Sequence, residues 1–184
     1  MELDIISLLL GGGIGTTMTI GFSRLKEYFS GPPTKPKFGG WNRDLLYKNT
    51  THEGFEYLIG YVFAFGGYDI GYTGGGSDGG VDVVGKHQKT GEKVMIEAKH
   101  YKKSNTVGGP IVQKAFAAAQ TQDADTVYII TTSRFTRPAK KQQEKLQGKA
   151  GMDVKLINGN ELCKLAKRWN APPPWAKNIV EINE

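Results

Sequence analysis

The sequence predicts an α/β domain built on a mixed sheet with helices on both faces, and three observations carry that expectation. Between Tyr68 and Lys99 lie three short apolar runs separated by turn residues, the pattern of an antiparallel meander. From Val107 onward, segments of helical spacing alternate with β-branched runs, which calls for crossover connections to later strands. At 184 residues and 39% hydrophobic composition, the chain is long and apolar enough to close one core around such a sheet.

From Ile5 to Ser23 no residue is charged, and Arg24 and Lys26 follow at once. That length and basic flank fit a membrane anchor with the following domain on the cytoplasmic side. Gly11, Gly12, Gly13, Gly15 and Gly21 weaken the helix, so a segment that packs on the domain or stays unstructured is the equal alternative. Glu2 and Asp4 stand where a secretory signal carries positive charge, which disfavours a cleaved leader. The expectation is therefore residues 1–28 as an apolar segment and residues 29–48, with Pro32, Pro33, Pro36, Gly39 and Gly40, as a linker. The folded domain is expected over 49–170 and a tail over 171–184.

Within the domain, Phe55, Leu58, Ile59, Val62 and Phe63 recur at helical spacing and stop at Gly66-Gly67, predicting a helix over 51–65. Strands are predicted over 68–73, 81–85 and 93–99, the last two joined by a turn at Thr90-Gly91. A helix follows over 107–122, with Pro110 near its start and Val112, Ala115, Phe116 and Ala119 along one stripe. A strand over 126–132, a helix over 133–148, a strand over 153–157 and a helix over 159–169 complete the order, and Pro172-Pro173-Pro174 ends it.

Net charge is +6, compatible with a polyanionic partner such as nucleic acid or an anionic membrane surface. The single cysteine, Cys163, excludes an internal disulfide, and with only three histidines no zinc-type ligand cluster is visible. A reducing compartment, hence a cytoplasmic domain, fits best.

Gly74, Gly76 and Gly79 satisfy a G-x-G-x-x-G pattern. Dinucleotide binding needs the third glycine to open a helix, whereas here Val81-Asp82-Val83-Val84 reads as a strand, and no Lys-Ser/Thr ending makes a P-loop. Asp82 is the telling residue, because an acid within a valine run is disfavoured in a strand and costly to bury unpaired. Glu97 and Lys99, two residues apart on the third strand, share a face while Ala98 points oppositely. A strand-end hydrogen bond explains Asp82 alone, and an edge ion pair explains Glu97 and Lys99 alone. Convergence of all three on adjacent strands points instead to metal-dependent phosphodiester chemistry.

Gly79-Gly80-Val81-Asp82-Val83-Val84, Ile96-Glu97-Ala98-Lys99-His100-Tyr101, Val107-Gly108 with Gln113, and Ile130-Thr131-Thr132-Ser133 with Phe135-Thr136 and Ala139 resemble the catalytic domain of Mrr-type restriction endonucleases. These belong to the PD-(D/E)xK nuclease superfamily. The resemblance runs from about Phe55 to about Leu165. It implies a restriction-endonuclease-like sheet with an αβββαβ core. It also implies DNA as partner, Mg²⁺ (or Mn²⁺ in its place) as cofactor, and endonuclease activity in restriction or defence. Asp82, Glu97 and the carbonyl of Ala98 would hold the metal, Lys99 would orient or help deprotonate the attacking water, and Glu56 would hold a water of the metal's shell. Gln113 matches a polar residue on the helix after the site. Asp78 reads as a supporting or solvated turn residue. Glu97 departs from the glutamine usual in Mrr-type enzymes and brings the chain closer to archaeal Holliday junction resolvases. That alternative calls for a homodimer; a catalytically inactive DNA-binding domain is a further one. DNA contacts are expected through phosphates, from Lys102, Lys103, Arg134, Arg137, Lys140 and Lys141. His100 and Tyr101, following Lys99, are expected to border the phosphate, with simple packing the alternative for Tyr101.

Overall fold

The computed structural model describes residues 40–73 and 81–174. The first element, α1 (Arg43–Lys48), is capped by the Asn42 side chain, and α2 (His52–Phe65) by Thr51, whose hydroxyl accepts from the amide of Gly54. The strands β1 (Tyr68–Tyr72), β2 (Val83–His87) and β3 (Lys93–Lys99) form the expected meander. A short β4 (Thr106–Val107) precedes α3 (Gly109–Gln120), which leads to β5 (Thr126–Thr131). Then come a short β6 (Arg134–Phe135), α4 (Arg137–Leu146), a single 3₁₀ turn at Lys149–Gly151, β7 (Asp153–Asn158) and α5 (Gly159–Arg168).

The main sheet has the order β1-β2-β3-β5-β7, antiparallel through β3 and parallel from β3 to β7. The crossover helix α3 makes the change of direction possible, since a parallel neighbour cannot be reached by a hairpin. The alternation of β3 assigns its two faces. Val94, Ile96 and Ala98 enter a core with Phe55, Leu58, Ile59 and Val62 of α2 and Leu162 and Ala166 of α5. Met95 enters a second core with Val112, Ala115 and Phe116 of α3 and Ala139 and Leu146 of α4. Burial of each such side chain contributes about 1.5–3 kcal/mol, so the sheet is held from both sides.

Two polar devices fix the margins. Glu92 accepts from the Tyr68 hydroxyl and the Thr126 hydroxyl, both at 2.8 Å, tying the starts of β1, β3 and β5 together. At the outer strand β7, the backbone of Val154 is satisfied by Gln143 and Gln147 of α4, each at 3.0 Å, which closes that edge to further pairing.

Several expectations change. Residues 41–48, expected to be linker, form the start of the packed unit. Leu46 is fully buried, and the Trp41 indole donates to the carbonyl of Ala171 at 2.7 Å, so the chain ends of the domain clasp one another. The expected helix over 133–148 begins only at Arg137, because Arg134 and Phe135 pair with Thr106 and Val107 of β4. The strand expected over 81–85 runs two residues later. Its hydrogen bonds nonetheless continue through Asp82, whose amide donates to Ile96 at 2.9 Å and whose carbonyl accepts from Thr73 at 3.2 Å. Among the described residues no helix is long and apolar enough to cross a membrane. The segment 5–23, Asp78 and the turn glycines Gly74, Gly76 and Gly79 lie outside the described residues. The chain after that turn enters a strand, not a helix, as the rejection of nucleotide binding required.

Candidate active site

β2 and β3 pair with Val83 opposite Ile96 and Val84 opposite Met95. One step beyond, Asp82 stands opposite Glu97, so Asp82, Glu97 and Lys99 lie on the face shared by Val84 and Met95. Asp82 is fixed by the backbone between the other two: its Oδ2 accepts from the amide of Ala98 at 2.7 Å. The Lys99 ammonium forms an ion pair with Glu97 Oε1 and donates to the Ala98 carbonyl at 3.1 Å. Glu97 is only 4% exposed, and its second oxygen, Oε2, is buried with no hydrogen-bond partner among the described residues. Such an atom costs on the order of 1–3 kcal/mol, more for a charge, so it calls for a ligand.

Glu56 arrives from the other layer, on the half-buried side of α2. Burial first, and the nearby negative charge of Asp82 second, push its carboxyl from the ordinary 4.5 to about 7. Glu97 is likewise raised by burial, with Asp82 adding to the effect and Lys99 opposing it. Burial would lower the Lys99 ammonium, but its bond to Glu97 and the charges of Glu97 and Asp82 outweigh that and raise it. Burial and crowded negative charge act together here: three carboxyl groups face a single ammonium, so the pocket lacks positive charge.

The oxygen set fits a divalent cation. Asp82, the orphaned oxygen of Glu97 and the Ala98 carbonyl are hard donors on one strand pair, with Glu56 in electrostatic range. Among the described residues no cluster of three or more His, Cys, Asp or Glu forms a ready-made cage.

The remaining expected residues divide. Gln113 is exposed on α3 and accepts from Gln142 of α4, so it bridges two helices and is not drawn to the acids. His100 does not border the site. Its ring stacks on Tyr47 at 4.6 Å, contacts Phe55 at 5.6 Å and bonds the Tyr47 carbonyl at 3.2 Å, and burial lowers its basicity. Tyr101 packs on the second core, with its backbone amide and carbonyl both bound to the Thr132 hydroxyl. That doublet and the pairing of Thr106 with Arg134 bring the loops carrying Lys102, Lys103 and Arg134 together. Arg137, Lys140 and Lys141 lie exposed on α4, at spacings that share one helix face. One residue escaped the sequence reading: Lys114 on α3, whose charge opposes the rise at Glu97. Its only signal was its place beside Gln113 on a helix over the site.

The restriction endonuclease family of the Mrr catalytic domain matches residues 47–166. The chain belongs to this family. The Mrr-type match runs from the end of α1 to most of α5, and so includes Glu56, Asp82, Glu97 and Lys99. Among curated proteins, the type IV methyl-directed restriction enzyme EcoKMrr of Escherichia coli (strain K12) is 36% identical over 104 residues, which cover 55% of this chain and 32% of that protein. The uncharacterized protein y4cE of Sinorhizobium fredii (strain NBRC 101917 / NGR234) is 31% identical over 91 residues, covering 46% of this chain and 23% of that one. The chain thus matches a third or less of the length of these curated relatives.

Among solved structures, the DNA modification-dependent restriction endonuclease AspBHI superposes with a TM-score of 0.52 at 21% identity, over 85% of this chain and 38% of the other. MspJI restriction endonuclease, in complex with a 27-mer oligonucleotide, gives 0.51 at 22% identity, over 73% and 32%. These likenesses establish that the Mrr-type fold here is that of restriction endonucleases.

Proposed function

We propose that this chain is a divalent-metal-dependent endodeoxyribonuclease, hydrolysing DNA phosphodiester bonds in restriction or defence against foreign DNA. The observation that carries the reading is the convergence of Asp82, Glu97 and Lys99 around the Ala98 peptide, with one buried Glu97 oxygen lacking a partner. Asp82, Glu97 and the Ala98 carbonyl would hold the cation, Mg²⁺ with Mn²⁺ as substitute, and Glu56 would hold a water beside it. When bound, the cation supplies charge neutralisation at the phosphate and acidity to the attacking water.

The chain's own groups do the rest. The Ala98 amide holds the Asp82 carboxylate in one orientation, so no reorganisation is needed when the phosphate arrives. Two of the ammonium protons of Lys99 are taken by Glu97 and the Ala98 carbonyl, which leaves the third to donate. Aimed at the attacking water or at a non-bridging phosphate oxygen, it orients the nucleophile and offsets the charge that develops on phosphorus. Because its neighbours hold that proton on the nitrogen, Lys99 acts as a donor rather than as a base. Glu56, the acid placed beside the water of the metal's shell, is the group able to accept a proton from it.

The test incubates the full chain with linear, covalently closed circular, methylated and unmethylated DNA in Mg²⁺ or EDTA, beside Asp82→Asn and Lys99→Ala. The reading expects Mg²⁺-dependent cleavage of the closed circle that both substitutions abolish. Cleavage indifferent to either one sinks the site assignment. The methylated arm is included because the E. coli relative is described as methyl-directed. Glu97, in place of the usual Mrr-type glutamine, favours the junction-resolvase alternative; preferential cleavage of a four-way junction over duplex would select it.

A further inference from the structure

Just past the ends of β3 and β5, Tyr101 and Thr132 form one wall of a cleft of about 280 Å³, faced by Tyr47, Lys48 and Lys103. Arg43 and Asp44 line this cleft and also a second one of about 520 Å³, whose far wall is α5 with Asn160, Cys163, Lys164 and Lys167. Sharing Arg43 and Asp44, the two clefts make one groove. It starts two residues beyond Lys99 and leads away across α1 to α5.

Its charge is one-sided. Arg43, Lys48, Lys103, Lys164 and Lys167 stand against Asp44 alone, and Asp44 is already paired with Arg43 at 3.2 Å. Lys164 and Lys167 are three apart and share one face of α5. The charges of Lys167 and Arg43 both act on the Cys163 thiol, which places them over the same strip of helix. Arg43 is also set in place by its stem. A Cβ at Gly159 would come within 2.5 Å of Arg43 Cγ, so the glycine at the start of α5 is what admits the side chain there. None of the four lysines forms an ion pair among the described residues. Gathering like charges in a groove without counter-charge is self-repulsive, and a polyanion relieves it.

We propose that this α1–α5 groove binds the phosphodiester backbone of DNA flanking the cleaved phosphate, through Arg43, Lys48, Lys103, Lys164 and Lys167. This rests on reading the chain as a DNA nuclease. The groove's continuity with the end of β3 favours the same polymer over an acidic peptide. These residues are distinct from the basic set on β6 and α4, and they give the DNA a second contact on the opposite layer of the sheet.

The test measures binding of a fluorescent duplex by the full chain in EDTA, across a salt series, for the wild type and for Lys164→Glu with Lys167→Glu. Both lysines are exposed, so the fold tolerates the change. Affinity should fall about tenfold at moderate salt, and the log–log salt slope should lessen by about 0.9 for each phosphate no longer neutralised. In Mg²⁺, the DNA concentration giving half-maximal cleavage should rise in step with the loss of affinity. Lysine acetylation supplies a second readout that needs no variant: DNA should protect Lys103, Lys164 and Lys167 but not Lys89 or Lys149. Wild-type affinity and salt slope in the double variant, with unprotected Lys164 and Lys167, overturn the groove while leaving the nuclease reading intact. Protection by polyglutamate but not by DNA would assign the groove to an acidic protein partner instead. A wild-type chain that binds no DNA overturns both readings together.

Discussion

Replacing Glu56 by glutamine removes one of the three carboxyl groups from the pocket while keeping its shape. The folded carboxyl is raised from 4.5 to about 7, so the folded state holds this proton more tightly than the unfolded chain does. Its stabilising effect is therefore complete below about pH 4.5 and is lost as pH rises through about 7. At full effect such a shift is worth about 3 kcal/mol. The side chain is only half-buried, and solvent screening reduces this to about 1–2 kcal/mol. For a chain of this size that is roughly 3–6 °C in Tm. The assay is thermal unfolding in EDTA at pH 5 and pH 8. Wild type should lose stability between the two relative to Glu56→Gln, and the variant should be the more stable protein at pH 8. Mg²⁺ added at pH 8 should recover more stability in the wild type than in the variant, because the cation relieves the same excess of negative charge. A difference in Tm between the two proteins that does not change with pH would refute the reasoning.

Asp82→Asn keeps the bond from the Ala98 amide but removes the charge; the fold should survive, with cleavage falling at least about a hundredfold and Mg²⁺-dependent stabilisation weakened, read by gel assay and thermal shift. Lys99→Ala strips Glu97 of its ion pair with Lys99 and should cost about 3 kcal/mol in urea unfolding, most of it recovered when Glu97→Gln is added. Leu46→Ala, in the segment whose composition reads as linker, should destabilise by about 2–4 kcal/mol, whereas a true linker residue would show no change. Gln113→Ala should leave turnover within a few-fold of wild type, since that side chain is engaged with Gln142 on the surface.

The periodic parts of the chain declare themselves because their information is local. The stripe Phe55–Leu58–Ile59–Val62, the meander and the valine–isoleucine run of β5 each satisfy a pattern that neighbouring residues alone can display. The same holds for Asp82, Glu97 and Lys99: an acid in a valine run and an acid–base pair on one strand face are anomalies against a simple alternation. The fold and the core of the site were therefore legible in the sequence. What was not legible depends on residues far apart in the chain. Trp41 meets Ala171 across the domain, and only that clasp turns the supposed linker at 41–48 into part of the fold. Gln113 and Lys114 are adjacent, yet packing against α4 turns one to a neighbouring helix and leaves the other acting on Glu97. His100 follows Lys99 directly, and the alternation of the strand end delivers it to Tyr47 and Phe55 instead. The orphaned oxygen of Glu97, the shift at Glu56 and the basic groove between α1 and α5 arise only when separate segments share one dielectric and one surface. The sequence by itself singled out Asp82, Glu97 and Lys99 as the candidates for the chemistry. The tertiary structure alone decided their burial, their charge balance and the surface that leads to them, because each of these is a sum over neighbours that the order of residues does not list.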